Sequence, residues 1–241
     1  MSRLSFLLLV AVLLSSCVGY VKKDGVVYYR DCNEANVCSE RKIDADAKTF
    51  ETLKDGFARD KSRVFKNGDV IEGADAETFT VMKFPFAKDK NHAYYCGKVI
   101  KSSTGQNFEI INDDYSKNDI DVFYRTNPLN VCSVKEFRRL FKEEEEPVCN
   151  YWSTDGCNYY FQQYKIPSDD YINVQLLKET AGYAKDKNWI YRCDRKLNIN
   201  PDGEKILDTV DVATFSTIYY SDNCRDKFGC IDVYKGRVPC N

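Results

Sequence analysis

An aromatic residue followed eight positions later by a second aromatic residue recurs down this chain, and it constrains the fold more than any other feature. The leading members are Tyr20, Phe57, Phe86, Tyr115, Trp152, Tyr183 and Tyr220, and the trailing members are Tyr28, Phe65, Tyr94, Phe123, Tyr160, Tyr191 and Phe228. The starts are 37, 29, 29, 37, 31 and 37 residues apart, so 29 residues is the bare unit and the longer units carry inserts. The best-matched copies are F-A-K-D-K-N-H-A-Y-Y at 86–95 and Y-A-K-D-K-N-W-I-Y-R at 183–192, and the seventh copy is the weakest.

A β-hairpin accounts for the spacing. With a three-residue loop, Asp89-Lys90-Asn91, Phe86 stands directly across from Tyr94, a cross-strand pair worth about 0.2–1 kcal/mol. A two-residue loop would send the two rings to opposite faces. The last residue of a three-residue loop takes the left-handed conformation, which Gly25, Asn91 and Asn188 tolerate and Ile120, Cys157 and Arg225 fit poorly. A second hairpin follows at Asn67-Gly68 and, in the third copy, at Cys96-Gly97. Each unit then closes on a short helical turn: Asp46 to Phe50, Asp75 to Phe79, Thr104 to Phe108, Ser133 to Phe137 and Asp211 to Phe215. The side-chain oxygen four residues before the Phe caps the first N–H groups, and Ser133 with Glu136 reads as a capping box. The predicted fold is mainly β: tandem three-strand β-meanders with short helical turns, in an elongated or arced array. A closed β-propeller is the alternative, although 29 residues is short for a four-stranded blade.

The runs D-K-N-H-A-Y-Y at 89–95, D-K-N-W-I-Y at 186–191 and G-A-D-A-E-T-F at 73–79 resemble the DKNYY family of bacterial repeat proteins. The resemblance covers most of the chain beyond its leader and is sharpest in copies two, three and six. Copies four, five and seven depart from it, as does the cysteine content. It implies a secreted or lipid-anchored repeat protein and carries over no catalytic residue.

Residues 1–16 read as a lipoprotein signal peptide, with Arg3 as a minimal basic region and Leu4 to Leu14 as an apolar core too short to span a bilayer. The end, Leu14-Ser15-Ser16-Cys17, resembles the bacterial lipobox, which makes Cys17 the expected lipidation site. An ordinary signal peptide with a nearby cysteine is the competing reading. Val18 after the anchor favours the outer membrane or cell surface. Only Val18 and Gly19 separate Cys17 from the first repeat, so the folded chain is expected to lie against lipid. The expected organisation is repeats one to four at 17–142, an acidic loop at 143–150 and repeats five to seven at 151–241. Glu143 to Glu146 with Pro147 is read as solvated, with an acidic binding patch as the alternative.

Setting Cys17 aside leaves ten of the eleven cysteines, an even number that suggests up to five disulfides in an exported chain. Cys32 with Cys38, Cys149 with Cys157 and Cys224 with Cys230 are the expected local clasps, leaving Cys96, Cys132, Cys193 and Cys240 for long-range pairs. No Cys-x-x-Cys occurs and His92 is the only histidine, so neither metal nor cofactor is expected. Charge is balanced, net -2 with Arg3 and -3 without it. No basic stripe exists, which argues against nucleic acid.

Chemistry is sparse. His92 reads as a surface strand residue rather than a general base. Asp60, Asp89 and Asp186 open hairpin loops, where Asp hydrogen-bonds its own backbone. The second residues of Tyr28-Tyr29, Tyr94-Tyr95, Phe123-Tyr124 and Tyr159-Tyr160 point to the other strand face. There they either pack between units, the preferred reading, or form an outward row able to stack on sugars. The expected role is non-enzymatic binding or scaffolding at the membrane surface, towards an envelope protein or glycan. The alternative is an envelope glycan hydrolase using an Asp/Glu pair.

Overall fold

The computed structural model describes residues 18–140, 151–177, 182–218 and 224–240. The leader with Cys17, the acidic stretch with Cys149, and Tyr220 lie outside the described residues. The chain divides into two compact bodies, one ending at Asn91 and the other beginning at His92. Both are built from small antiparallel sheets, none closed into a barrel. Among the described residues no helix is long and apolar enough to cross a membrane.

The unit is a turn followed by four strands. In the second unit the strands are Glu51–Thr52, Phe57–Arg59, Val64–Lys66 and Asp69–Val70, hydrogen-bonded in sequence order. The expected three-strand meander lacked the first of these, the two residues after the turn's Phe. The first unit does have three strands, Gly19–Lys23, Val26–Cys32 and Cys38–Lys42. The third copy contributes Thr80–Val81 paired with Phe86–Lys88 to the first body, and Ala93–Tyr95 paired with Lys98–Val99 to the second. The fifth sheet has strands on both sides of the acidic stretch, since Arg138–Arg139 pairs with Trp152–Thr154.

The turns are single turns rather than helices, capped as their sequences require. Asp46 accepts the Lys48 N–H, Asp75 the Thr78 N–H, Asp211 the Thr214 N–H, and Ser133 the Glu136 N–H. Among the described residues the one 3-10 segment is Tyr171–Asn173. The second hairpin turns on Asn67-Gly68, both at positive φ, between Lys66 and its partner Asp69. Gly68 is needed there twice over: its φ is 80°, and a Cβ would sit 2.5 Å from the Cβ of Tyr29.

The first hairpin departs from expectation. Phe57 pairs with Lys66 and Ala58 with Phe65, not Phe57 with Phe65. The same register recurs at Tyr115 with Tyr124, Trp152 with Phe161 and Tyr183 with Arg192. Asp60 N–H reaches the Arg63 carbonyl at 2.9 Å, so the ladder runs one pair further and leaves a two-residue tip, Lys61-Ser62. Asn91 and Asn188 are not left-handed; the tip is closed instead by the Asp side chain, whose Oδ1 accepts the next N–H groups. Shifting a register by one residue moves a side chain to the other face. The two aromatics of these copies therefore point to opposite faces.

That result explains how the units associate. Phe57 and Phe65 are both fully buried. Phe65 faces back, packing with Val27, Tyr29, Ile43 and Ala47, its ring 5.9 Å from Phe50. Phe57 faces forward, its ring 5.5 Å from Phe79. In the second body Tyr115, Val122 and Tyr124 meet Tyr160, and Tyr183 and Ile190 meet Phe215, Cys224 and Ile231. Each such ring contributes about 1.5–3 kcal/mol by burial. A sheet apolar on both faces stacks on two neighbours.

The seventh copy was expected at Tyr220 and Phe228. Its loop is instead marked by Asp226, and Cys224 pairs with Ile231. Ile231 is fully buried while Phe228 is 57 % exposed at the tip. The aromatic pattern alone placed this copy three residues early.

Candidate functional site

Loops and turns meet along one edge of each body, and the D-K-N run supplies the contacts. Asp60 Oδ1 accepts the N–H groups of Ser62 and Arg63 at 2.8 and 2.7 Å. Its Oδ2 accepts the Asp46 N–H at the head of the turn, 2.9 Å away. Lys61 donates its N–H to Thr49 Oγ1 and places Nζ 3.2 Å from Asp46. The arrangement recurs with Asp89, Lys90, Asp75 and Thr78, and with Asp226, Lys227, Asp211 and Thr214. In these three units the loop is thus bound to its turn through a buried carboxylate and an outer ion pair.

Electrostatics follow from this geometry. The Lys90 ammonium and the Thr78 hydroxyl and N–H hold the Asp75 carboxyl down to about 2. Lys227 and Thr214 do the same to Asp211, also about 2. Burial alone would raise the loop carboxylates, but their donors outweigh it. Asp60, Asp155, Asp186 and Asp226 all lie below the ordinary range. In the fifth and sixth units the trailing Tyr joins in: the Tyr160 hydroxyl donates to Asp155 at 2.7 Å and the Tyr191 hydroxyl to Asp186 at 2.5 Å. Burial, then the adjacent carboxylate, pushes both phenols up. Such acids are poorly suited to donating a proton at neutral pH.

A second contact ties successive units. In three units the basic residue before the loop donates to the carbonyl of the next turn: Lys22 to Ala47, Arg59 to Ala76 and Lys185 to Val212. Shallow clefts of about 430 and 390 Å³ lie beside the last two of these contacts. Tyr hydroxyls on the forward face add to the joints. Tyr20 donates to the Gly56 carbonyl and accepts the Gly68 N–H, and Tyr115 donates to the Gln162 carbonyl. Burial raises the Tyr20 phenol to about 12.

The cysteines sort differently from the sequence reading. Cys32 and Cys38 are bonded, S–S 2.10 Å, across the long hairpin of the first unit. Cys157 is bonded to Cys132, not Cys149, and Cys230 to Cys240, not Cys224. Sequence separation misled in both cases: Cys224 and Cys230 sit on adjacent strands but in different pairs, Cys224 facing Ile231 and Cys230 facing Arg225. Cys224 is a buried free thiol, raised to about 12 by burial. Cys96 and Cys193 are also free, Cys96 exposed.

The fifth unit shows what one disulfide is for. Gly156 and Glu136 occupy its Lys and Thr positions, and the Cys132–Cys157 bond joins loop to turn instead. Asp155 keeps its role, accepting the N–H groups of Cys132, Cys157 and Asn158. Cys132, Asp155 and Cys157 are the grouped metal-type ligands among the described residues. Two of them are bonded to each other and the third is saturated with donors, so the set does not fit a metal.

His92 lies at the fourth loop position rather than in a strand, its ring 6.4 Å from Tyr94 in an edge-on contact. The outward tyrosine row is absent: Tyr29, Tyr124 and Tyr160 are buried, and Tyr95 is half-buried. The loop Asp role was legible from sequence. Its second acceptor bond, to the turn, was missed, although the recurring D-x-x-T ahead of D-K carried the signal.

The DKNYY family model matches residues 20–164. Comparison with curated proteins and with solved structures found no match. The sixth and seventh units, beyond the matched region, repeat the same register and the same loop carboxylate.

Proposed function

The chain belongs to the DKNYY family, and on that premise we propose that it is a cell-envelope lipoprotein, anchored through Cys17, that binds or scaffolds an envelope partner without catalysis. Its disulfides are those of an exported protein. The lipobox-like Leu14-Ser15-Ser16-Cys17 supports the anchor. The observation that carries the non-catalytic reading is the use of the repeated acids. Asp60, Asp155, Asp186 and Asp226 are each filled by backbone or side-chain donors and held ionised. What remains for function is extended surface, the usual asset of repeat arrays.

The test is cross-linking of the anchored protein in its own envelope, with mass spectrometry of what it captures. A reproducible partner is expected. Turnover of envelope glycans by the purified protein would overturn the reading in favour of a carboxylate hydrolase. Cys17→Ser protein recovered in membranes at the lipidated mass would remove the anchor.

A further inference from the structure

The first unit lacks a strand that the other described units have. Its sheet ends at Gly19–Lys23. In each of the other sheets a two-residue strand, such as Glu51–Thr52, covers the equivalent position. The register leaves the edge open. Val21 pairs with Tyr28 on the inner side, so Tyr20 and Lys22 turn their N–H and C=O groups outward. Phe57, which stands where Tyr20 stands, has both groups taken from that side, by Lys54 and Leu53. An uncovered edge of five residues is long enough to receive a strand from another chain.

The sibling units state what the position accepts. In five of them the N–H of an apolar residue, Leu53, Met82, Ile111, Leu140 or Leu177, donates to the carbonyl of the leading aromatic. Two residues before Leu53 and before Ile111 stands a carboxylate facing the base ahead of the loop. Glu51 meets Arg59, and Glu109 meets Lys117 at 3.1 Å. Arg59 makes this pair while also donating to the Ala76 carbonyl. Lys22 has the corresponding bond to the Ala47 carbonyl, and among the described residues no carboxylate pairs with it.

Charge decides between occupants. Lys22 and Lys23 both stand on the edge, and Lys23 is paired with Glu40 across the sheet. A second copy would bring its own two lysines against them, whereas an acidic strand meets Lys22 as Glu51 meets Arg59. We infer that Gly19–Lys23 is a strand-addition site for an extended segment of an envelope protein. That segment carries Asp or Glu opposite Lys22 and, two residues later, an aliphatic residue opposite Tyr20. The inference rests on the scaffolding reading above and names the edge that the partner takes.

The test titrates the isotope-labelled full chain beyond its leader with a peptide of residues 48–54, K-T-F-E-T-L-K, and follows amide exchange by NMR. The Tyr20 and Lys22 amides are expected to exchange freely in the protein alone and to be protected by the peptide. Lys22→Glu should weaken the peptide about five-fold, and a peptide with Lys in place of its Glu should recover the loss. That recovery separates pairing across the edge from damage to the Ala47 contact. Peptide binding that leaves both amides unprotected overturns the site, as does equal affinity for Lys22→Glu. Protection in the protein alone, with a dimeric mass, assigns the edge to a second copy and also overturns it. Cross-linking in the envelope reads the parent proposal separately. A partner captured equally by Lys22→Glu protein spares the scaffold and removes this edge, whereas a protected edge with no envelope partner does the reverse.

Discussion

In the second unit the hairpin loop is held to its turn by Lys61, which meets Thr49 through its N–H and Asp46 through its ammonium. In the fifth unit Gly156 and Glu136 stand at those positions and the Cys132–Cys157 bond spans the gap. The loop carboxylate is common to both: Asp60 and Asp155 are buried and each binds its own loop and its turn. The fourth unit supports the same division, with Asn118 at the carboxylate position and an outer bond from Asn107 to Asp119. The inner acceptor fixes the shape of the loop. The outer link is interchangeable in kind, because all it must do is hold two segments already placed.

The comparison can be broken most forcefully at the inner acceptor. Asp155→Ala leaves several buried donors without a partner and should cost about 3 kcal/mol, read from urea unfolding. Asp60→Ala should cost about as much, and a loss below about 1 kcal/mol for either would refute the shared role. Cys132→Ser with Cys157→Ser should cost about 2–3 kcal/mol, from the chain entropy of the loop it closes. Should the double variant unfold at the wild-type midpoint, the bond is no substitute for the ionic link. Adding Gly156→Lys to that background restores the D-K sequence but not the geometry, since Gly156 has φ 91°. A further loss of about 1 kcal/mol is expected, where a purely sequence-based view predicts recovery.

The smallest effect separates the links by pH. Asp75 and Asp211 are held near 2 in the folded chain, against about 3.9 in an unfolded one. A depressed carboxyl stabilises above the unfolded value, and the contribution is lost as pH falls towards 2. Carboxyl NMR should show Asp75 titrating near 2 and moving up in Lys90→Ala. A wild-type midpoint near 3.9 would dissolve the ion pair as a structural element. The Cys132–Cys157 link has no proton to gain in this range.

Sequence carried the repeat, the Asn67-Gly68 hairpin, the capped D-x-x-T-F turns and the loop role of Asp. Register was not legible from it. An eight-residue separation fits either loop parity, and the choice of three residues assumed that both rings share one core. Phe57 and Phe65 instead serve two interfaces, so alternation within a strand lost its usual meaning. Cys157 found Cys132 because the loop folds back on its turn, a proximity set by Asp155 rather than by chain distance. The seventh copy was misplaced for a related reason: Asp226 marks it, and Phe228 is a tip residue outside the core.

Sheets apolar on both sides also bear on how such a gene changes length. The forward face of one unit accepts the backward face of the next through the same positions, so an insertion or excision of one whole module rejoins matched surfaces. Unequal crossing-over in steps of the 29-residue period would lengthen or shorten the protein without uncovering a core. A step that was not a whole module would leave a ring such as Phe57 or Phe65 in water and be lost to selection.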